Sequence, residues 1–356
     1  NRITANQMSA NSIVLGSNTI SGQLPAAKGG TGLTSIATLT NSGISISANG
    51  TLNGSLYVIG DDNEVSDLLV NGSLIVGHPG QTFWPVSPKI SSDRNNFDDI
   101  KIRDWTRLIG DANVLSDSFF GDAAQGKGQG VKVEGAQTII IDAIVHMGER
   151  NPAFPNGNPN GGIYVLPGSD RITIKNVVLT NALTIFQDLP SGVRLGKWND
   201  GVTGSIIQNV NSSGYFNGLL SYSGTGSIIE DSKFHNNENV GIILANGSNN
   251  TTVTDIEAYD NAFSGVVVLS SENTSITSSA AYNNFFNGFA YLNTTTLNTL
   301  DGNYSYGNVQ GEGVLLENGN GVVIINNVIG QDALGNIDGN GGNGIMLQVN
   351  SNTNTI

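Results

Sequence analysis

The sequence lacks cysteine, and only 12% of its residues are charged. Without cysteine the chain has neither a disulfide framework nor a thiolate metal site. Basic residues are few, because 15 Lys and Arg stand against 29 Asp and Glu, a formal charge of −14. A nucleic-acid-binding protein needs clustered cations to displace phosphate counterions, so we expect no nucleic-acid partner. Long apolar runs are also missing, which predicts no membrane insertion.

The composition does not favour helices either, because residues typical of turns and strands predominate. The 356 residues include 47 Gly and 47 Asn, about a quarter of the chain, and these two types best tolerate a positive φ. Thr, Ser, Ile and Val fill the intervals, as in strands rather than helices. Hydrophobic residues at 38% suffice for a core. We therefore expect an all-β protein with frequent turns.

A glycine followed by a short apolar strand recurs along the chain. The interval between these glycines is nearly constant from Gly218 to Gly313, and the full series is Gly130, Gly162, Gly192, Gly218, Gly241, Gly265, Gly288, Gly313 and Gly344. A second apolar segment follows each strand, and a third precedes an Asn-containing turn. Three short strands in about 23 residues predict one rung of a parallel β-solenoid.

Asparagines recur at one corner of these rungs. Asn237, Asn261, Asn284 and Asn308 lie four or five residues before the next repeat glycine. Stacked Asn side chains hydrogen-bond from rung to rung, and Asn accepts the left-handed backbone of a corner. We expect these asparagines to be structural.

The glycine-apolar rungs and Asn turns resemble those of the right-handed parallel β-helix families, including pectate-lyase-like and NosD-like repeat proteins. The resemblance covers 128–356. It implies an all-β parallel β-helix with about 23–25 residues per rung, and the right hand is implied by the family alone. The resemblance also implies polysaccharide lyase, hydrolase or epimerase activity as possibilities. The sequence matches no catalytic motif of these families, so no catalytic residue is assigned.

The part of the chain before residue 128 does not follow this period. Residues 1–56 are rich in Ser, Thr, Ala, Asn and Gly and predict a slender β-rich stalk without its own core. Their segment 20–35, ISGQLPAAKGGTGLTS, resembles a motif of phage tail-fibre and related surface-fibre proteins. Residues 57–127 are expected to be an adaptor or cap before the β-helix at 128–356. The chain ends within a repeat, so we expect the natural protein to continue.

Alternation along the strands predicts which side chains leave the core. If the first and third residues after each glycine point inward, the second and fourth point outward, whereas a slip of one residue swaps the faces. The outward positions of the later rungs are apolar, and such a patch is usually covered. We expect a homotrimer, or downstream chain, to cover an interface of Leu220, Ile243, Val267, Leu269, Leu292, Leu315 and Met346.

Polar side chains occupy the outward positions of the first rungs, beside the longest connections. The ligand-binding candidates are Lys132, Glu134, Tyr164, Arg194, Lys197, Trp198 and Asp200. Binding groups concentrate on loops held by a rigid scaffold. Trp198 is expected to stack on a sugar face while its polar neighbours bind hydroxyls; alternatively, its ring only packs the loop down.

Enzyme chemistry has fewer indications. Glu134, Asp142, Asp170 and Asp200 offer carboxylates, but hydrolysis needs a pair about 5 to 9.5 Å apart. A lyase needs a cation and a base such as Arg194 or Lys132. The glycine motif at 339–344 leads into a strand rather than a helix, so it predicts no phosphate loop. The three histidines are isolated, and we expect no metal and no cofactor.

These observations favour a structural or receptor-binding component of a phage tail or cell-surface fibre. It is expected to be extracellular or on a virion, and to recognise a surface polysaccharide or host receptor. The alternative is a polysaccharide lyase, hydrolase or epimerase. A structural filament or adhesin without a ligand is the third possibility.

Overall fold

The computed structural model describes residues 20–21, 37–39, 42–43, 45–77, 91–121, 130–147, 161–181 and 190–356. Within these ranges the regular elements are all β-strands. The chain forms two compact units, residues 1–159 and residues 160–356. Most of the segment 20–35, with its tail-fibre resemblance, lies outside the described residues.

The first unit is built from short parallel strands. They are β1 (Ile20–Ser21), β2 (Ala37–Leu39), β3 (Ser45–Leu52), β4 (Leu56–Val58), β5 (Glu64–Val70), β6 (Leu74–Val76), β7 (Asn96–Asp98), β8 (Lys101–Ile102), β9 (Thr106–Ile109), β10 (Val114–Ser116), β11 (Phe119–Phe120), β12 (Val131–Glu134), β13 (Ile139–Ile141) and β14 (Ile144–Met147). One ladder runs β2–β4–β6–β9–β12. The other runs from β1 through β3 and β5 to the pairs β7 and β8, β10 and β11, and β13 and β14.

Parallel rungs therefore begin before the glycine repeat of the later chain. Residues 53–58, NGSLYV, and residues 71–76, NGSLIV, are similar in sequence. Their strands pair in parallel, Leu56 with Leu74, so they are successive rungs of the solenoid. The first unit ends at residue 159, whereas the sequence suggested boundaries at 57 and 128, which stay predictions.

In the second unit each rung except the last has one strand at the repeat glycine and one or two further strands, and the last rung has the first kind alone. The first kind forms the front sheet: β15 (Gly161–Val165), β17 (Ser191–Leu195), β19 (Asn217–Tyr222), β22 (Ile242–Ala245), β25 (Val266–Leu269), β28 (Phe289–Leu292), β31 (Val314–Glu317) and β34 (Ile345–Gln348). The second kind forms the back sheet: β16 (Thr173–Asn181), β18 (Ile206–Ser213), β20 (Ile228–Glu230), β21 (Lys233–His235), β23 (Thr252–Thr254), β24 (Glu257–Tyr259), β26 (Ser275–Thr277), β27 (Ala280–Tyr282), β29 (Asn298–Asp301), β30 (Tyr304–Tyr306), β32 (Val322–Ile325) and β33 (Val328–Ile329). These sheets confirm the all-β parallel β-solenoid.

The core of the second unit lies between the two sheets. On β25 the inward side chains Val266 and Val268 are fully buried, as are Ile276 of β26 and Ala281 of β27. Burial of such apolar area contributes about 25 cal/mol per Å². Each rung adds a similar layer, so the core is a continuous column.

Stacked asparagines close one corner of this column, as the sequence predicted. The side-chain amide of Asn237 donates to Oδ1 of Asn261 at 2.9 Å, and Asn261 donates in the same way to Asn284 at 2.9 Å. Asn284 donates to Asn308 at 3.1 Å. The residue before Asn237, Asn236, has a φ of 52°, the left-handed corner that Asn accepts.

Candidate functional site

Burial in the front sheet confirms which side chains point outward. The inward residues of β17, Val193 and Leu195, are fully buried, and Arg194 between them is only partly buried. The same alternation holds at Ile242 and Leu244, which flank the partly buried Ile243. The register expected from the sequence is therefore right, and the slipped alternative is wrong.

Three outward side chains of neighbouring rungs form a cation–aromatic cluster. Tyr164 of β15 pairs directly with Arg194 of β17, and Tyr222 ends β19 on the next rung. The guanidinium carbon of Arg194 lies 5.3 Å from the ring centroid of Tyr164 and 5.6 Å from that of Tyr222. Each such contact stabilises by about 0.5–1 kcal/mol near a surface. The two rings thus fix the direction of the Arg194 side chain.

The phenol of Tyr164 keeps its proton in this cluster. Burial raises the pKa of Tyr164, while Arg194 acts to lower it and Asp200 to raise it. Because burial disfavours the phenolate, Tyr164 remains a neutral phenol that can donate a hydrogen bond.

A tight turn beside the cluster presents Trp198 to solvent. Backbone hydrogen bonds join Lys197 and Asp200 in both directions, at 2.9 and 3.0 Å, and Asn199 takes a φ of 62°. Trp198 is 63% exposed, and its ring centroid lies 5.9 Å from that of Tyr222. Trp198 therefore rests against Tyr222 with one part of its ring and leaves the rest open.

Five of the candidate residues share this place: Tyr164, Arg194, Lys197, Trp198 and Asp200. Lys197 and Asp200 are exposed at the base of the turn. Sequence reasoning missed Tyr222, which touches both Arg194 and Trp198. Its position could have identified it, because Tyr222 is the outward residue diagonal to Arg194 on the next rung.

The other two candidates, Lys132 and Glu134, belong to the first unit. Nη2 of Arg107 on β9 lies 2.8 Å from Oε2 of Glu134 on β12, and Lys132 pairs directly with Arg107 in the ladder. Burial, and then the positive charge of Arg107, lower the pKa of Lys132, while Glu134 acts to raise it. Arg107 is the partner that sequence reasoning missed here.

The apolar outward residues of the later rungs form one packed surface, which we call the apolar face. Val240, Val267 and Ala290 are buried at its centre, with Ile243, Leu269, Leu292 and Leu315 partly buried against them. Leu220 is buried one rung before Ile243. At the last rung Met346 accepts a hydrogen bond at its sulfur from Gln348 at 3.2 Å, so the apolar character ends there.

Two further features were expected to be absent, a metal site and a membrane-spanning segment, and the described ranges bear on both. There, no three His, Asp or Glu side chains gather as a metal site. The part of the chain that the structure describes also contains no helix long and apolar enough to cross a membrane. Nε of Arg171 lies 3.2 Å from Oδ2 of Asp170. One of the carboxylates considered for hydrolysis is therefore part of an ion pair.

Comparison with known proteins identifies the family and the fold. The family model described as right-handed β-helix region matches residues 161–356. No curated protein matches the chain. Among solved structures, the A-module of mannuronan C-5 epimerase AlgE6 from Azotobacter vinelandii is similar, with a TM-score of 0.52, 13% identity and coverage of 97% of this chain and 88% of that one. The A-module of AlgE4 from the same organism has a TM-score of 0.46, 13% identity and coverage of 97% and 90%.

The Dettilon tailspike protein is also similar, with a TM-score of 0.41, 12% identity and coverage of 82% of this chain and 62% of that one. At these identities the likeness shows the fold alone.

Proposed function

Because the chain belongs to the right-handed β-helix family, we propose that it is the receptor-binding component of a fibre on a virion or cell surface. In this proposal the Trp198 turn recognises a surface glycan. The observation that carries it is the indole of Trp198, 63% exposed on a turn closed by two backbone hydrogen bonds.

The surroundings of Trp198 suit a sugar ring. An indole offers an apolar face of fixed direction at small entropic cost, and Tyr222 supports its other side. Lys197 and Asp200, exposed on the same turn, supply a donor and an acceptor for hydroxyl groups. Arg194, held between two phenol rings, adds a cation whose direction is fixed before the ligand arrives.

An extracellular or virion-surface location and a glycan or host receptor as partner are parts of this proposal. The homotrimer expected from the sequence stays a prediction, and the packed apolar face is the surface on which it rests. The AlgE6 module is named for mannuronan, so a related fold acts on a polysaccharide. The fold alone carries no site, and the proposal depends on Trp198.

A carbohydrate-modifying enzyme is the alternative, and Tyr164 beside Arg194 favours it. The guanidinium of Arg194 would neutralise the carboxylate of a uronate, and the neutral phenol of Tyr164 beside it would donate a hydrogen bond to the sugar. Release of reducing ends, or absorbance of unsaturated uronates, on a panel of acidic polysaccharides tests this reading. Arg194→Ala should abolish such activity. Turnover that survives Arg194→Ala places the chemistry elsewhere.

Binding of the full chain to immobilised surface polysaccharides tests the main proposal. We expect Trp198→Ala to weaken binding about tenfold or more, which is the loss of roughly 1.4 kcal/mol, with unchanged circular dichroism. Phe285→Ala is the matched control, because Phe285 is an exposed aromatic residue at 40% outside the cluster. Equal binding by the wild type and Trp198→Ala would overturn the proposal.

A further inference from the structure

Three phenylalanines form an exposed ridge at the asparagine corner of the second unit. Phe263 and Phe285 are 42% and 40% exposed. Phe286 is partly buried, and the centroid of its ring lies 4.6 Å from that of Phe263 and 5.1 Å from that of Phe285. We call these three residues the aromatic ridge. Because the rings pack on one another, they are ordered before a partner binds, and binding immobilises few side chains.

Carboxylates lie at both ends of the aromatic ridge along the solenoid. The residue after each corner asparagine holds the same position in successive rungs, and this position is the exposed Glu238 in one rung and Phe285 two rungs later. At the other end, the backbone N–H of Glu312 donates to Oδ1 of Asn287 at 2.9 Å, so Glu312 lies one rung beyond the ridge. The side-chain amide of Asn343, 3.3 Å from Oε1 of Glu312, leaves that carboxylate charged.

No basic side chain offsets these carboxylates in the later rungs. The chain from residue 234 to residue 356 holds no Lys or Arg and ten Asp and Glu, a formal charge of −10 with histidine neutral. The last basic residue, Lys233, pairs with Glu257 at 2.8 Å. This charge repels anionic polysaccharides, nucleic acids and anionic lipid surfaces. A partner of the aromatic ridge should therefore be both apolar and cationic.

We propose that the aromatic ridge binds an extended segment of a protein partner in which an apolar side chain lies between two basic ones. Phenylalanine has no polar atom for the hydroxyl groups of a sugar, so the ridge differs in chemistry from the Trp198 turn. Side-chain amides for a peptide backbone are present, because Asn283 and Gln310 are exposed at the same corner. The backbone N–H of Gln310 donates to the carbonyl oxygen of Phe285 at 2.9 Å.

The separation of the two end carboxylates defines the spacing in the bound segment. Glu238 and Glu312 are three rungs apart, about 14 Å at about 4.8 Å per rung. In an extended chain, residues four positions apart are separated by about 13 Å and point to the same side. A segment that runs along the solenoid therefore brings basic side chains at its first and fifth positions to the two carboxylates. Its third side chain then lies on the phenylalanine rings.

Fluorescence anisotropy with labelled peptides and the full chain tests this spacing. The probe KTLTKTLTK places each leucine midway between two lysines on one side of an extended chain. The control KLTTKLTTK has the same composition and charge, but its leucines point to the opposite side. We expect the control to bind about tenfold more weakly, and ETLTETLTE not to bind. Equal binding of KTLTKTLTK and KLTTKLTTK, or no binding of KTLTKTLTK, would overturn the proposal.

A variant of the ridge tests whether the probe binds there. Phe285→Ala should weaken the binding of KTLTKTLTK about tenfold with unchanged circular dichroism. Ile325→Ala is the matched control, because Ile325 is exposed to a similar degree, 38%, in the back sheet. Equal effects of the two variants reject the ridge as the site. This inference does not rest on the proposed glycan site, since Phe285→Ala should weaken peptide binding and leave glycan binding unchanged.

A second pair of variants separates the two end carboxylates from the overall negative charge. Glu238→Gln combined with Glu312→Gln should weaken the binding of KTLTKTLTK about fivefold. Glu272→Gln combined with Glu317→Gln removes the same charge at exposed positions away from the ridge, and should change binding by less than about twofold. Equal losses in the two double variants mean that the probe follows net charge alone, which contradicts the proposal.

Discussion

The imidazole of His235 lies face to face on the phenol ring of Tyr259, with 4.8 Å between ring centroids and 3° between ring planes. Tyr282 and Tyr306 continue the stack at 4.9 Å steps. These rings occupy the last position of four successive back-sheet strands, so the rung spacing sets the stacking distance. Nε2 of His235 lies 2.8 Å from the amide oxygen of Asn211, which suits a neutral ring that donates through Nε2.

Protonation of His235 should therefore destabilise the fold. Burial, and to a smaller extent Lys233, lower the pKa of His235 below 6.5, against the opposing charges of Asp260 and Glu257. As the pH falls below about 6.5, the unfolded chain takes up this proton first, so stability is present above that pH and is lost toward the lower folded pKa.

Urea unfolding at about pH 7.5 and about pH 5 measures this effect. We expect the free energy of unfolding to fall less between the two values in His235→Phe than in the wild type, because phenylalanine keeps the stack and does not titrate. Equal falls in both proteins mean that His235 does not control the pH dependence.

Replacement of one buried corner asparagine should be costly. Oδ1 of Asn261 accepts hydrogen bonds from the backbone and the side-chain amide of Asn237. The side-chain amide of Asn261 donates to Oδ1 of Asn284 and to the carbonyl oxygen of Phe234. Asn261→Ala leaves these buried groups unpaired, at about 1–3 kcal/mol for each. We expect at least about 2 kcal/mol lost in urea unfolding. Asn343→Ala, at an exposed asparagine, should change stability by less than about 0.5 kcal/mol.

Alanine should have opposite effects at two glycines. A Cβ on Gly265 would lie 2.8 Å from the carbonyl oxygen of Gly288 and 2.9 Å from Cβ of Ala281, so Gly265→Ala should cost about 1–3 kcal/mol through overpacking. At Gly339 nothing lies within 4 Å, and Gly339→Ala should stabilise by about 0.4–1 kcal/mol because it restricts the unfolded chain. Thermal unfolding of both variants measures the direction of each change in stability. A Gly265→Ala variant as stable as the wild type would contradict the close approach.

The later rungs were predictable from the sequence because their period is nearly constant. Once Gly241, Gly265 and Gly288 mark the same point of successive rungs, inward and outward positions follow from alternation, and so does the Asn corner. Tyr164 and Arg194 became candidates by the same counting, and Trp198 by its place in one of the long connections.

Contacts between rungs of different length were not predictable. Glu134 meets Arg107 from 27 residues away, a separation that the spacing of the later rungs does not give. In the first unit some successive rungs are only 18 residues apart, as Asn53 and Asn71 are. The longer period of the later rungs therefore does not predict them. Diagonal contacts such as Tyr222 with Trp198 depend on the turn at Asn199, whose backbone the sequence did not predict.

The pKa of Lys132 can be tested directly, and the result bears on the role of Lys132 as a ligand candidate. Its pKa is lowered first by burial and then by Arg107, and Glu134 opposes both. Removal of the Glu134 charge should lower the pKa of Lys132 further, whereas removal of the Arg107 charge should raise it toward the ordinary value.

Competitive acylation of the amines over a range of pH values measures these shifts at single lysines. In Glu134→Gln we expect Lys132 to become reactive at lower pH than in the wild type, and in Arg107→Gln at higher pH. Lys233 is the internal control, because it pairs with Glu257 at 2.8 Å and should not respond to either change. Shifts of the same sign in both variants would show that loss of packing, rather than charge, governs the Lys132 amine. Opposite shifts in the two variants would show that Arg107 and Glu134 together set the pKa of Lys132.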